Sequence, residues 1–308
     1  MHIQWYPGHM NKARKQITES LPRVDLVIEI LDARIPYSST NPMLASLRAD
    51  KPCVKLLNKC DLAEVEMTRH WQAHLEQEQG VKSLAVSCLQ AESLKPLQPL
   101  CRRLLPEKAA SLKGIQAMIV GIPNVGKSTL INLLARRSIA RTGNEPAITK
   151  RQQRINLGNG LVLLDTPGVL WPNIENPNSG YRLAVTGAIR ETAIEAEEVA
   201  HFAAEYLLSH YPDRLRERYR LEPLPASASE LLEAVGSRRG CLRSGGSVDM
   251  EKAGKLLLTE LRAGKLGPLT LETPQMMIEE QEATRLLQEE KQARREERRA
   301  RRKAKRKS

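Results

Sequence analysis

The segment Gly121-Ile-Pro-Asn124-Val125-Gly126-Lys127-Ser128 constrains this 308-residue chain more than any other feature. It follows the apolar run 115–120 and precedes Thr129-Leu-Ile-Asn-Leu-Leu-Ala, which reads as a helix. A phosphate-binding loop needs that strand–loop–helix setting, because there bent backbone N–H groups and a helix N-terminus converge on one anion. The loop predicts an α/β fold, a mostly parallel doubly wound sheet, with a nucleoside triphosphate at the carboxyl ends of the strands. Contacts to that nucleotide are expected from Asn124, Val125, Gly126, Lys127, Ser128 and Thr129. Among these, Lys127 would reach the terminal phosphates and the Ser128 hydroxyl would bind magnesium.

The base is specified upstream. Asn58-Lys59-Cys60-Asp61 closes the run Cys53-Val-Lys-Leu-Leu. An aspartate in that place accepts two N–H bonds from the Watson–Crick edge of guanine, whereas adenine leaves it unpaired, and a stranded buried polar group rejects the wrong base strongly. Asn58 would bond the far edge of the base, and the Lys59 stem would pack over its face. A second strand ends at Ser87-Cys88, suited to present a backbone N–H to the base carbonyl. Together these features point to GTP.

Downstream, Asp165-Thr-Pro-Gly168 ends the run Leu161-Val-Leu-Leu. Asp165 can hold magnesium through water, and the Gly168 N–H can contact the terminal phosphate. The intervening segment 142–150 is polar and suits a switch. Thr149 is its better magnesium ligand and Thr142 the alternative.

Ordinary GTPases place the phosphate loop first and the base motifs last. Here the base motifs come first and the phosphate loop, switch threonine and Asp-Thr-Pro-Gly follow, and the chain resembles the bacterial ribosome-biogenesis GTPase A family of circularly permuted GTPases. The resemblance rests on Trp5-Tyr-Pro-Gly-His9-Met, the stretch from Asp32-Ala-Arg34 to Pro42, Asn58 to Asp61, Gly121 to Ser128, and Asp165 to Pro172. It implies an enzyme that hydrolyses GTP, binds the maturing large ribosomal subunit and its rRNA, and leaves after hydrolysis. Two small departures stand out: Ala147 where the family often has Gly, and Cys88 where Ala is usual.

In Ras-like enzymes a Gln after Asp-x-x-Gly orients the attacking water. Val169 takes that position here and cannot hydrogen-bond, so slow turnover alone and stimulation by the ribosome are expected. The resemblance implies His9 as the catalytic residue beside Lys127, Thr149 and Gly168, and potassium on Asn124. Two alternatives remain at this point: a GTPase aiding tRNA modification, and an RNA-binding module that holds GTP without hydrolysing it.

Composition sets the organisation. The expected division is a GTPase domain at 1–176, an all-helical RNA-binding domain at 177–285 and a disordered basic tail at 286–308. From Lys291 onward, eleven Lys or Arg against two Glu give +9 of the net +12, a counterion-releasing phosphate binder beside nucleic acid. On the helical stretch near 253–261, Lys252, Lys255, Arg262 and Lys265 fall opposite the apolar face and form a candidate RNA surface. Five cysteines without a C-x-x-C pair argue against a metal or disulfide framework. No stretch resembles a signal peptide or a membrane span, so a cytoplasmic monomer is expected.

Overall fold

The computed structural model describes residues 15–136, 153–158, 160–166, 168, 174, 176–189 and 196–304. The central strand, β1 (Leu26–Asp32), is buried on both faces. A near-continuous apolar run of this kind suits only the middle of a parallel sheet covered on both sides. On one side β1 pairs with β2 (Cys53–Asn58), and β2 with β3 (Val81–Ala85), all parallel. On the other side β1 pairs in parallel with β4 (Ile115–Gly121). An antiparallel edge strand, β5 (Gln153–Asn156), pairs with β6 (Leu161–Asp165), completing the order β3-β2-β1-β4-β6-β5. These two strands form a hairpin, with positive φ at Gly158 and Gly160.

Helices α1 (15–20), α2 (Pro36–Ser39), α3 (Pro42–Arg48), α4 (Val65–Leu75), α5 (Leu97–Leu104), α6 (Pro106–Ala110) and α7 (Lys127–Ala135) accompany the sheet. After it come α8 (Pro177–Val185), α9 (Ala196–His210), α10 (Pro212–Tyr219), α11 (Ala228–Arg238), α12 (Met250–Arg262) and α13 (Pro274–Ala304). Val199, Ala203 and Leu207 on α9 and Ala253, Leu257 and Leu261 on α12 are buried, as their spacing requires.

Three features of the helical part bear on the expected division. The boundary at 176 is not a break in the core, because one hydrophobic cluster holds Ile28 and Ile119 of the sheet together with Leu183, Ala203 and Leu257. The chain also returns to the sheet domain before 285. Leu269 N donates to Leu62 O at 3.0 Å, Leu271 N to Arg34 O at 2.8 Å, and Trp71 Nε1 to Glu272 O at 3.1 Å. Finally, the segment expected to be a disordered tail continues α13 as far as Ala304. Residues 275–304 lack Gly and Pro, and Arg285 pairs with Glu282 and Glu289 at helical spacing, so propensity and local ion pairs favour the helix.

Candidate active site

Every parallel strand that carries a motif ends on the same edge. Register sets Asp32 beside Asn58, Ile30 beside Gly121, and Ile119 beside Asp165. Motifs separated by about a hundred residues of chain are thereby brought together at the carboxyl ends of neighbouring strands.

In the phosphate loop, Asn124 takes φ 57° and Gly126 φ 95°, after which α7 begins at Lys127. A Cβ at position 126 would sit 2.3 Å from Asn58 Nδ2. Gly126 is therefore needed for its conformation and for space. That Asn58 amide donates to Val125 O at 2.7 Å, tying the base motif to the phosphate loop. Cys88 joins them, its thiol 3.5 Å from Asn58 Oδ1. Burial pushes the Cys88 thiol up, which keeps it a neutral donor.

Lys127 is buried and forms an ion pair with the buried Asp165. Burial pushes the Asp165 carboxyl above its ordinary value, and Lys127 offsets only part of that. Gly168 lies against the loop, where an added Cβ would meet Pro123 at 3.4 Å. Ser128 is half-buried on the first turn of α7, and Thr129 beside it is exposed. His9, Thr142, Ala147, Thr149 and Val169 lie outside the described residues.

On the base side, Asp61 is in a short 3-10 turn, Cys60–Leu62, reached through Lys59 in the left-handed region at φ 61°. Lys59 Nζ donates to Asp32 Oδ2 at 2.9 Å. Arg34 grips the same carboxylate with two bonds, Nε to Oδ1 at 2.9 Å and Nη2 to Oδ2 at 2.8 Å. Burial opposes a charge on Asp32, yet Arg34 and then Lys59 outweigh it and hold the carboxyl well below the usual range. This Asp32–Arg34 clamp escaped the reading of chemistry in the sequence. Its signal was a charged Asp-Ala-Arg closing a fully apolar run. At Ser87 the backbone N–H is taken by Ser93 Oγ at 3.0 Å, so the choice of base-facing amide narrows to Cys88.

The residues present fit a nucleotide with magnesium. Among the described residues no group of three His, Cys, Asp or Glu side chains could hold a metal by itself. Magnesium suits such a site, since it takes one or two protein ligands and fills its shell with phosphate oxygens and water.

The 50S ribosome-binding GTPase family matches residues 116–222. Ribosome biogenesis GTPase A of Bacillus pumilus is 46% identical over 282 residues, 89% of this chain and 100% of that protein. The Thermotoga maritima counterpart is 33% identical over 89% of this chain and 95% of its own length. Mitochondrial ribosome-associated GTPase 1 of Bos taurus is 33% identical over 87% and 88%. Two solved structures share the architecture. A GDP-bound TM YlqF gives a TM-score of 0.63 at 29% identity, covering 84% of this chain and 99% of that one. A GNP-bound YlqF from T. maritima gives 0.61 at 28% identity, with 85% and 98% coverage.

Fold and motif order thus define a circularly permuted P-loop GTPase, an enzyme that binds and hydrolyses guanine nucleotide. Among the described residues no helix is long and apolar enough to cross a membrane. The chain belongs to the ribosome biogenesis GTPase A family. Membership removes the non-hydrolysing alternative and favours ribosome assembly over tRNA modification.

Proposed function

We propose that this GTPase binds the maturing large ribosomal subunit and its rRNA in the GTP state and is released on hydrolysis. The observation that carries this reading is a direct bond between the nucleotide loop and the helical part: Asn124 Nδ2 donates to Gly187 O at 2.8 Å. A change at the phosphates therefore reaches the helical part through one side chain.

In this reading Asp61, Asn58, Lys59 and the Cys88 amide select guanine, and Asn124 to Thr129 cradle the phosphates. Lys127 would exchange its partner Asp165 for phosphate, freeing Asp165 to hold magnesium through water, and Ser128 and Thr149 would be the ligands of that ion. Magnesium held there would supply charge neutralisation for the transfer of the terminal phosphoryl group to water. Gly168 reports the terminal phosphate, potassium at Asn124 adds electrostatic stabilisation, and His9 completes the site on the ribosome.

Sedimentation with purified large subunits tests the reading. Retention with a non-hydrolysable GTP analogue and release with GDP are expected. Equal retention with both nucleotides, or none with either, overturns it.

A further inference from the structure

Three helices of the helical part end around one open cavity of about 650 Å3. Arg214 and Arg220 come from α10 and its C-cap, Arg238 from the last turn of α11, and Lys265 from just beyond α12. Among the described residues, none of these four has a carboxylate within ion-pair distance. Arg214 lies across the floor, which glycine leaves open: a Cβ on Gly267 would sit 2.7 Å from Arg214 Nη1.

Two further arginines are held rigidly. Glu260, buried beneath the cavity, takes both Arg218 Nε at 2.9 Å and Arg218 Nη2 at 2.5 Å. Arg239 lies 5.4 Å from the centre of the Tyr219 ring and donates to Arg218 O at 3.2 Å. The bland explanation is that cations at helix C-termini balance the helix dipoles. Each such end carries only about half a negative charge. Three ends, Glu217 and Glu260 together leave a surplus of roughly two to three positive charges on a concave surface. Such a surplus opposes folding unless an anion uses it.

On the basic face expected on α12, Lys252 and Lys255 stay exposed beside local carboxylates and only Arg262 is turned inward. Lys252 pairs with Asp249 at 3.5 Å and Lys255 with Glu251 at 2.6 Å. Arg262 bonds the carbonyls of Val185 at 2.9 Å and Ala184 at 2.8 Å. It is an internal tie and not part of an RNA surface, and only Lys265 of the expected set belongs to the cavity. The nature of the anion follows from what the cavity lacks. Tyr219 is 2% exposed and covered by Arg239, so among the described residues of the lining no aromatic face is open to stack a base. Charge without stacking suits a run of backbone phosphates, which positions a partner without reading its sequence.

We infer that this cavity is a docking site for the phosphate backbone of RNA, with Arg214, Arg220, Arg238 and Lys265 as its counterion-releasing contacts. The inference rests on the ribosomal reading above and places one RNA contact in the α10–α11–α12 corner. The test is a full-length variant carrying Arg214→Gln, Arg220→Gln, Arg238→Gln and Lys265→Gln. Binding is titrated with salt against labelled oligouridylate and, separately, against purified large subunits.

The log–log salt slope for oligouridylate should fall by about 3, because each lost phosphate contact removes about 0.7. Subunit binding should weaken in parallel, while GDP affinity stays unchanged and the melting temperature does not fall, since the variant loses the repulsion among the four cations. A companion carrying Arg214→Lys, Arg220→Lys and Arg238→Lys should keep the slope, and Lys265→Gln alone should lower it by under one. An unchanged slope in the fourfold variant overturns the inference. So does loss of subunit binding with normal oligouridylate binding, since that identifies an acidic protein as the partner. Should the unmutated chain bind oligouridylate with the full slope but no subunits, the ribosomal reading fails and the phosphate site stands.

Discussion

Asn124 Nδ2 donates to the backbone oxygen of Gly187 at 2.8 Å, so a residue of the phosphate loop is tethered to the turn after α8. That turn is held from its other side by Arg262, whose guanidinium bonds the carbonyls of Ala184 and Val185. With its amide nitrogen on Gly187, Asn124 would present its oxygen to potassium. One side chain could then serve both the ion and the helical part.

Two substitutions separate those roles. Asn124→Ala removes both and should abolish any acceleration by potassium over sodium as well as stimulation by large subunits. Asn124→Asp keeps a ligating oxygen but cannot donate to Gly187 O, so it should retain the ion response and lose subunit stimulation. Turnover measured in potassium and sodium, with and without subunits, checks both. Equal rates for the unmutated enzyme in the two salts remove the ion from the scheme.

Base choice depends on a side chain and on its support. Asp61→Asn should weaken GTP binding and favour xanthosine triphosphate, whose edge complements an amide. Asp32→Asn acts differently. It leaves Arg34, 1% exposed, without its carboxylate partner, and breaking such a buried pair costs about 3–5 kcal/mol of stability. It also releases Lys59, so GTP affinity should fall without a switch to xanthosine. Competition binding and thermal melts distinguish the two outcomes.

The sheet could be read from sequence because each buried strand is a run of Val, Leu and Ile ending at a motif, and periodicity reports burial directly. Three departures have physical causes. The strand expected to end at Ser87-Cys88 is Val81–Ala85, because Ser87 is drawn into a turn by its bonds with Ser93 and Leu89. The return of Leu269–Glu272 is made of backbone bonds from Leu269 to Leu62 and from Leu271 to Arg34, and of the Tyr37 N–H donating to the Glu272 carboxylate, all across some two hundred residues, which no local pattern encodes. Of the site, the phosphate and base motifs were legible as fixed spacings. The support of Lys59 by Asp32 was not, since it arises from the register of β1 against β2.

Gly126 is the tightest point of the site. Gly126→Ala would force φ 95° on a residue with a side chain and push its Cβ into Asn58 Nδ2. Strain of this kind costs about 1–3 kcal/mol, and relief breaks the Asn58–Val125 bond that joins the two motifs. GTP affinity should fall by about 100-fold with the sheet intact, as read by nucleotide titration and far-ultraviolet circular dichroism. Near-normal affinity would show that the two motifs act independently.

The basic end of α13 is a second concentration of positive charge. Deleting 291–308 removes +9 of the +12 net charge and none of the nucleotide motifs. GDP affinity should be unchanged, while the salt slope for RNA falls. The loss should add to that of the fourfold cavity variant, because a tail and a concave site contact different phosphates.

The last prediction concerns pH and the clasp between the two parts of the chain. Glu272 is 1% exposed and accepts bonds from Ser38 N at 3.0 Å and Ser38 Oγ at 2.6 Å, with Arg182 3.7 Å away. Burial pushes its carboxyl from the ordinary 4.5 up to about 7, outweighing the pull of Arg182 and the Ser38 bonds. The folded chain therefore binds this proton more tightly than the unfolded chain. The resulting stability is fully present below pH 4.5 and is lost as pH rises through 7. A shift of that size corresponds to at most about 3 kcal/mol. Denaturant unfolding between pH 5 and 8 should thus show a loss of stability with rising pH that Glu272→Gln, neutral at every pH, flattens. The variant should also be the more stable of the two at pH 8, where the native carboxylate is charged and buried. A variant with the same pH slope as the unmutated chain would mean that Arg182 and Ser38 keep Glu272 ionised throughout, and that the clasp closes as an ion pair.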